Sequence, residues 1–156
     1  MGRLLRRWLP ALAITSFVVF GADNSLGTWK LNVEKSKSTS APFPLKNATV
    51  VREAADGGVK STTTGERADG TAINASYTAK YDGKEVSVTG NAQYDTISIK
   101  QVNANTLTDE RKKTGGPYQA TGHIAISKDG KTMTLTTKGT GTDGKPFTST
   151  LVFEKQ

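Results

Sequence analysis

Short runs in which apolar and polar residues alternate dominate the chain, and they predict β-strands. Within Thr96–Val102, for example, Ile97 and Ile99 lie on one face while Ser98 and Lys100 lie on the other. A period of two residues is typical of a strand with one buried face. The pattern predicts about ten strands: Gly27–Val33, Asn47–Glu53, Val59–Gly65, Thr71–Tyr81, Glu85–Thr89, Thr96–Val102, Thr106–Lys112, Tyr118–Ser127, Thr132–Gly139 and Phe147–Glu154.

Five Asp-Gly dipeptides separate many of these runs. They are Asp56-Gly57, Asp69-Gly70, Asp82-Gly83, Asp129-Gly130 and Asp143-Gly144. Asp-Gly supplies the positive φ angles that a tight hairpin turn needs, so the strands are predicted to fold back on one another. The stretch Glu34–Lys46 is polar and contains Pro42 and Pro44, which predicts an irregular loop rather than a helix.

The two faces of the strands differ in polarity, one being apolar and the other rich in threonine, serine and lysine. This contrast is typical of an antiparallel sheet with its core on one side. Ten strands in an open sheet would leave exposed edges, which favours closure. The sequence therefore predicts an all-β fold, an antiparallel up-and-down β-barrel of about 8–10 strands, with a β-sandwich as the alternative. An outer-membrane barrel is disfavoured, because many outward faces would carry lysine and threonine.

Both ends of the predicted domain resemble a known superfamily. Gly27-Thr28-Trp29-Lys30-Leu31 resembles the first strand of lipocalins and fatty-acid-binding proteins, where a Gly-x-Trp element closes one end of the barrel. Val152-Phe153-Glu154-Lys155 resembles the last strand of the fatty-acid-binding proteins. The middle, from Tyr81 to Lys131, is similar to small exported bacterial proteins of uncharacterised function that are described as lipocalin-like. The resemblance implies a lipocalin-like (calycin-like) barrel far more than an activity.

The chain departs from the fatty-acid-binding proteins at two places. Their helical lid after the first strand has no counterpart, because Glu34–Lys46 is too short and is interrupted by proline. Their Arg-x-Tyr pair on the last strand, which holds the ligand carboxylate, is matched here by Leu151 and Phe153. The resemblance therefore does not imply that this chain holds a carboxylate in the same way.

Residues 1–22 have the features of a secretory signal peptide. Arg3, Arg6 and Arg7 precede the apolar stretch Leu9–Phe20, which is followed by two small residues. This stretch is shorter than the ~20 residues that a membrane-spanning helix needs, although an uncleaved anchor is the alternative. The sequence predicts export to the periplasm or the extracellular space, a single domain over residues 23–156, and no stable membrane span after cleavage.

Charge and cysteine content narrow the classes of partner. The leader contributes three arginines and no acid, so the formal charge of +7 falls to +4 without it. The tightest basic run is Arg111-Lys112-Lys113, and successive strand residues face opposite sides, which predicts a solvated surface and no nucleic-acid partner. The chain has no cysteine, so a hydrophobic core has to stabilise it without disulfides.

Residues with catalytic potential are few. His123 is the only histidine; it is out of phase with Ile124 and Ile126, which predicts a place on the polar face, and it cannot form a multi-histidine zinc site. Asp109 and Glu110 are adjacent and face opposite sides of a strand, so they are not a ready acid/base pair. The sequence predicts no enzyme, no metal and no cofactor.

The interior of the barrel is then the place where a function would lie. We predict that it binds a small apolar or amphipathic ligand. The alternative is a structural or interaction protein of the cell envelope, whose core is filled and holds no ligand. The predicted lining consists of the large apolar residues of the inward faces: Trp29, Tyr77, Tyr81, Ile97, Ile99, Phe147 and Phe153.

Overall fold

A computed structural model describes residues 22–40 and 43–156, and this part of the chain contains ten β-strands and no helix. The all-β prediction is confirmed. These residues therefore include no helix that is long and apolar enough to cross a membrane. The predicted signal peptide, residues 1–22, lies outside the described residues apart from Ala22. The strands are β1 Gly27–Ser38, β2 Leu45–Ala55, β3 Gly58–Arg67, β4 Ala72–Lys80, β5 Val86–Ser87, β6 Thr96–Asn103, β7 Thr106–Lys112, β8 Gln119–Ile126, β9 Thr132–Thr140 and β10 Pro146–Lys155.

All ten strands belong to one antiparallel sheet in the order β4-β3-β2-β1-β10-β9-β8-β7-β6-β5. The first and last strands meet because β1 pairs with β10, with Leu31 opposite Phe153. The edges at β4 and β5 approach each other beside Ser76 and Thr89, whose backbones exchange two hydrogen bonds of 3.0 and 2.9 Å. The sheet is therefore a nearly closed up-and-down barrel, as predicted.

The Asp-Gly dipeptides connect consecutive strands, and their two residues have different roles. Each of the five glycines has a positive φ between 71° and 85°, whereas within the described residues no other residue type has one. A type I′ turn requires a positive φ at both of its central residues. The aspartates have none, so the glycine of each pair is the residue that supplies the positive φ. At four turns the aspartate side chain accepts a hydrogen bond from the backbone two residues on, the donors being Thr71, Lys84, Lys131 and Lys145.

The first strand is longer than the alternation predicts. The predicted loop Glu34–Lys46 is wrong at both ends, because β1 continues to Ser38 and β2 begins at Leu45. The pairing of β1 with β10 shifts register between Asn32 and Lys37, and the Ser36 hydroxyl accepts the Val152 backbone N–H at 2.9 Å within this irregularity. Val33 continues the inward phase of Trp29 and Leu31 in the sequence, but it is 38% exposed.

One end of the barrel is closed by the segment that precedes β1. Trp29 is fully buried there, and its indole N–H donates to the Ser25 carbonyl at 2.8 Å. The Lys155 ammonium lies 5.0 Å from the centre of the Trp29 ring, within cation–π range. Apolar side chains fill the barrel next to Trp29, among them Leu31, Val59, Ile99, Leu107 and Phe153.

Candidate functional site

A cavity of about 580 Å³ occupies the barrel toward the end opposite Trp29. Its lining includes Ser38 at the end of β1, Arg67 at the end of β3 and Phe147 near the start of β10, so these strand ends surround its mouth. Small-molecule sites in proteins are typically concave pockets of about 300–1,000 Å³. The barrel therefore has an interior large enough for a small ligand.

The apolar part of the lining comes from the inward positions of six strands. Because side chains alternate across a strand, every second residue of these strands points into the barrel. The apolar lining includes Leu45, Ala48, Val50, Ile73, Ile97, Ile124, Met133, Leu135, Leu151 and Phe153. These side chains offer a surface that an apolar ligand could cover.

The structure places the seven predicted lining residues in three different regions. Trp29 and Ile99 are at most 1% exposed and lie in the hydrophobic core outside the cavity lining. Tyr81 follows β4, and its hydroxyl donates to the carboxylate of Asp23 at the closed end. The four that line the cavity together are Tyr77, Ile97, Phe147 and Phe153.

A buried ion pair lies on β7 in the cavity wall. Asp109 and Arg111 are two residues apart and share the inward face with Leu107, and Nη2 of Arg111 lies 2.8 Å from Oδ2 of Asp109. The two side chains are only 1% and 11% exposed, respectively. The predicted solvated surface of Arg111-Lys112-Lys113 is therefore wrong at Arg111, because strand alternation turns this residue inward.

Small residues on β8 leave room for the two charged side chains. Asp109 faces Gly122 across the β7–β8 ladder, and Arg111 faces Ala120. Burial alone would lower the pKa of Arg111, but the Asp109 carboxylate and nearby tyrosines raise it, and the net pKa is higher than usual. Arg111 therefore stays charged inside the barrel.

Two atoms of the ion pair have no hydrogen-bond partner among the described residues. They are Oδ1 of Asp109 and Nε of Arg111, and both are fully buried. More than nine in ten buried polar groups in proteins have a partner, and leaving one without costs about 1–3 kcal/mol. The ion pair therefore has hydrogen-bonding capacity that the described residues do not use.

Three aromatic side chains pack together on the mouth side, and two of them, Tyr94 and Tyr118, lie close to Arg111. The rings of Tyr94 and Tyr118 stack with centroids 5.7 Å apart, and the ring of Phe147 lies 5.9 Å from that of Tyr118. The Arg111 guanidinium lies 5.6 Å from the centre of the Tyr94 ring. Burial raises the pKa of Tyr94 to about 12 and also raises the pKa of Tyr118. Both phenols are therefore neutral hydrogen-bonding groups at ordinary pH.

A second buried arginine, Arg52, lies nearer the closed end. It forms a row with Ser61 and Tyr77 across β2, β3 and β4. Its Nε donates to the Ser25 hydroxyl at 3.1 Å and its Nη1 to the Tyr77 hydroxyl at 3.3 Å, while Nη2 has no partner in the part of the chain that the structure describes. Ser25 donates in turn to Asp23 at 2.6 Å.

Arg52, Asp109 and Arg111 lie inside the barrel but are absent from the predicted lining, although the sequence contains a signal for them. Asp109 and Arg111 continue the phase of Leu107, and Arg52 continues the phase of the apolar residues on β2. Charged residues in the apolar phase of a strand indicate buried polar groups. Opposite charges two residues apart further indicate that they pair with each other.

Other chemistry is limited among the described residues. They contain no group of three or more histidines, cysteines or acids that could hold a metal ion. His123 is exposed, as its phase predicts. Comparison with protein-family models and with curated proteins finds no match for the chain. The cavity and its buried charges are therefore the basis for inferring a function.

Proposed function

We propose that the protein is an exported barrel that binds a small amphipathic molecule inside its cavity. The observation that carries this proposal is the cavity of about 580 Å³, whose lining combines apolar side chains with buried polar ones. The apolar wall would contribute affinity at about 25 cal/mol per Å² of apolar surface removed from water. The few polar groups would orient the ligand. Export rests on the signal-peptide features of residues 1–22.

The alternative is a structural protein with a filled core. This alternative agrees with the dense packing at the closed end of the barrel, but it does not explain the cavity. Around Trp29 and Leu107 the side chains are packed and almost inaccessible. Beyond them the inward positions include Ala48, Ser61 and Thr63, which leave space that larger side chains would fill. A protein that needs only a filled core has no reason to place small residues there. We propose that the protein binds its ligand without a chemical step, because the buried charged groups interact with other groups of the protein.

The binding of a fluorescent probe tests this function. N-phenyl-1-naphthylamine is small, uncharged and brighter in apolar surroundings, and we expect the purified protein to bind it saturably at one molecule per chain. Thr137 is 3% exposed and lines the cavity, whereas Thr136 precedes it on the outward face of β9. The variant Thr137→Phe should bind the probe at least about fivefold more weakly, because its ring occupies part of the cavity.

The matched control is Thr136→Phe, which adds the same ring to the other side of the same strand. It should bind the probe as the unaltered protein does. Melting followed by circular dichroism would show that both variants are folded. Absence of saturable binding, or equal binding by both variants, would contradict the proposal that the cavity is the binding site.

A further inference from the structure

Each of the two inward-facing arginines has a carboxylate of the protein close to it. Arg111 has the carboxylate of Asp109 at 2.8 Å. Arg52 has the carboxylate of Asp23 one hydroxyl away, because Ser25 accepts from Arg52 at 3.1 Å and donates to Asp23 at 2.6 Å. Two guanidinium groups are thus matched by two carboxylates of the protein itself. The interior does not need a charged ligand to neutralise it.

We propose that the ligand of this cavity is an uncharged amphipathic molecule whose polar oxygen, a carbonyl or hydroxyl, accepts a hydrogen bond from Arg111. This inference rests on the proposed function and adds the chemical class of the ligand and its anchoring residue. It differs from a carboxylate site, in which an arginine without a carboxylate of its own supplies the charge.

Arg111 is more accessible to a ligand than Arg52. Its side chain lines the cavity and is 11% exposed, and only its Nη2 is engaged by Asp109. Asp109 on one side and the Tyr94 ring on the other hold the guanidinium in place. Arg52 also lines the cavity, but its residue is 3% exposed and two of its three nitrogens already donate to hydroxyls. An acceptor in the cavity is therefore expected to meet Arg111 first.

The charge of Asp109 disfavours an anionic head group at this place. A ligand carboxylate near Arg111 would lie within a few ångströms of the Asp109 carboxylate, where like charges repel each other more strongly than in water. It would also lose its hydration on entering the cavity. An uncharged oxygen needs only the donor and avoids both penalties. Arg67, Asp143 and Lys145 at the mouth are partly or fully exposed, so solvent screens their charges.

Competition between two matched probes tests the inference. Decanamide and decanoate have the same tail and differ in the charge of the head group at pH 8. Each would displace N-phenyl-1-naphthylamine from the purified protein, with decanoate kept below its micelle concentration. We expect decanamide to bind at least about tenfold more tightly than decanoate. In Asp109→Asn the Arg111 charge is unmatched, and the affinity ratio should move at least about tenfold toward decanoate.

Glu110→Gln is the matched control, because it removes the same charge from the neighbouring residue on the exposed outer face. It should leave the ratio unchanged. Tighter binding of decanoate by the unaltered protein, or an Asp109→Asn ratio equal to that of Glu110→Gln, would overturn the inference while leaving the binding function intact. Failure of the naphthylamine itself to bind would contradict both. If Asp109→Asn does not fold, the relative affinities of the unaltered protein for decanamide and decanoate test the inference alone.

Discussion

Asp109 and Gly122 face each other directly across the β7–β8 ladder, and the carboxylate of Asp109 lies over the bare Cα of Gly122. A Cβ at position 122 would stand 2.5 Å from both carboxylate oxygens. The φ of Gly122 is not positive, so the backbone does not require glycine there. Space is the physical reason for glycine at this position: it lets a carboxylate lie inside the barrel beside Arg111.

Replacement of Gly122 by alanine should therefore destabilise the protein, although the same change elsewhere often stabilises. With a compatible backbone, Gly→Ala contributes about 0.4–1 kcal/mol through the unfolded state. Here the new methyl group displaces Asp109, and overpacking of this kind costs about 1–3 kcal/mol. Urea unfolding measures the difference. The control is Gly116→Ala, whose Cβ would approach the flexible Lys113 side chain at 3.0 Å. Equal stability of the two variants would show that the carboxylate does not depend on Gly122.

Removal of the Arg111 guanidinium should destabilise the protein more than the change of Gly122 to alanine. In Arg111→Met the apolar stem remains, but the Asp109 carboxylate is left buried without a partner, and breaking a buried pair in this way costs about 3–5 kcal/mol. Lys112→Met is the matched control, because the Lys112 side chain is 48% exposed and lies 3.9 Å from the half-exposed Glu85. Such surface pairs contribute about 0–1 kcal/mol. The midpoints of urea unfolding compare the two variants. A small and equal loss in both would mean that the inward ion pair contributes little to stability.

The sequence predicts the ten-strand barrel because its evidence is local. Alternation places Ile97 and Ile99 inward, and both are at most 2% exposed. Glycines such as Gly130 supply the positive φ of their turns. These features depend on neighbouring residues, so they can be recognised in the sequence without the tertiary structure.

What the sequence does not predict depends on relations between distant strands. Val33 fits the inward phase of β1, but the register shift against β10 exposes it. Arg111 has the inward phase of Leu107, yet its burial depends on the small residue at position 120 of the next strand. The volume left inside the barrel is likewise a sum over all strands, so alternation cannot distinguish a cavity from a filled core.

The stability of the protein should fall at alkaline pH, because the pKa of Tyr94 is raised in the folded state. The pKa of Tyr94 is about 12 in the folded protein, against about 10 in an unfolded chain. Between these values the folded state binds more protons than the unfolded state, so stability is complete below pH 10 and falls as the pH rises toward 12. We expect Tyr94 to account for a loss on the order of 2 kcal/mol over this window. Urea unfolding at pH 9 to 12 should show a shallower loss for Tyr94→Phe than for the unaltered protein. Parallel curves would contradict the assignment.

The hydroxyl of Ser25 should be important for the closed end, because it lies between Arg52 and Asp23 and is fully buried. In Ser25→Ala the Arg52 Nε loses its acceptor, and an unsatisfied buried donor costs about 1–3 kcal/mol. The exposed Ser87→Ala should change stability by no more than about 0.5 kcal/mol. Because the Trp29 indole N–H donates to the Ser25 carbonyl, its hydrogen exchange should also become faster in Ser25→Ala and not in Ser87→Ala. An unfolding midpoint and an indole exchange rate that both match the control would show that the segment before β1 is held without this hydroxyl.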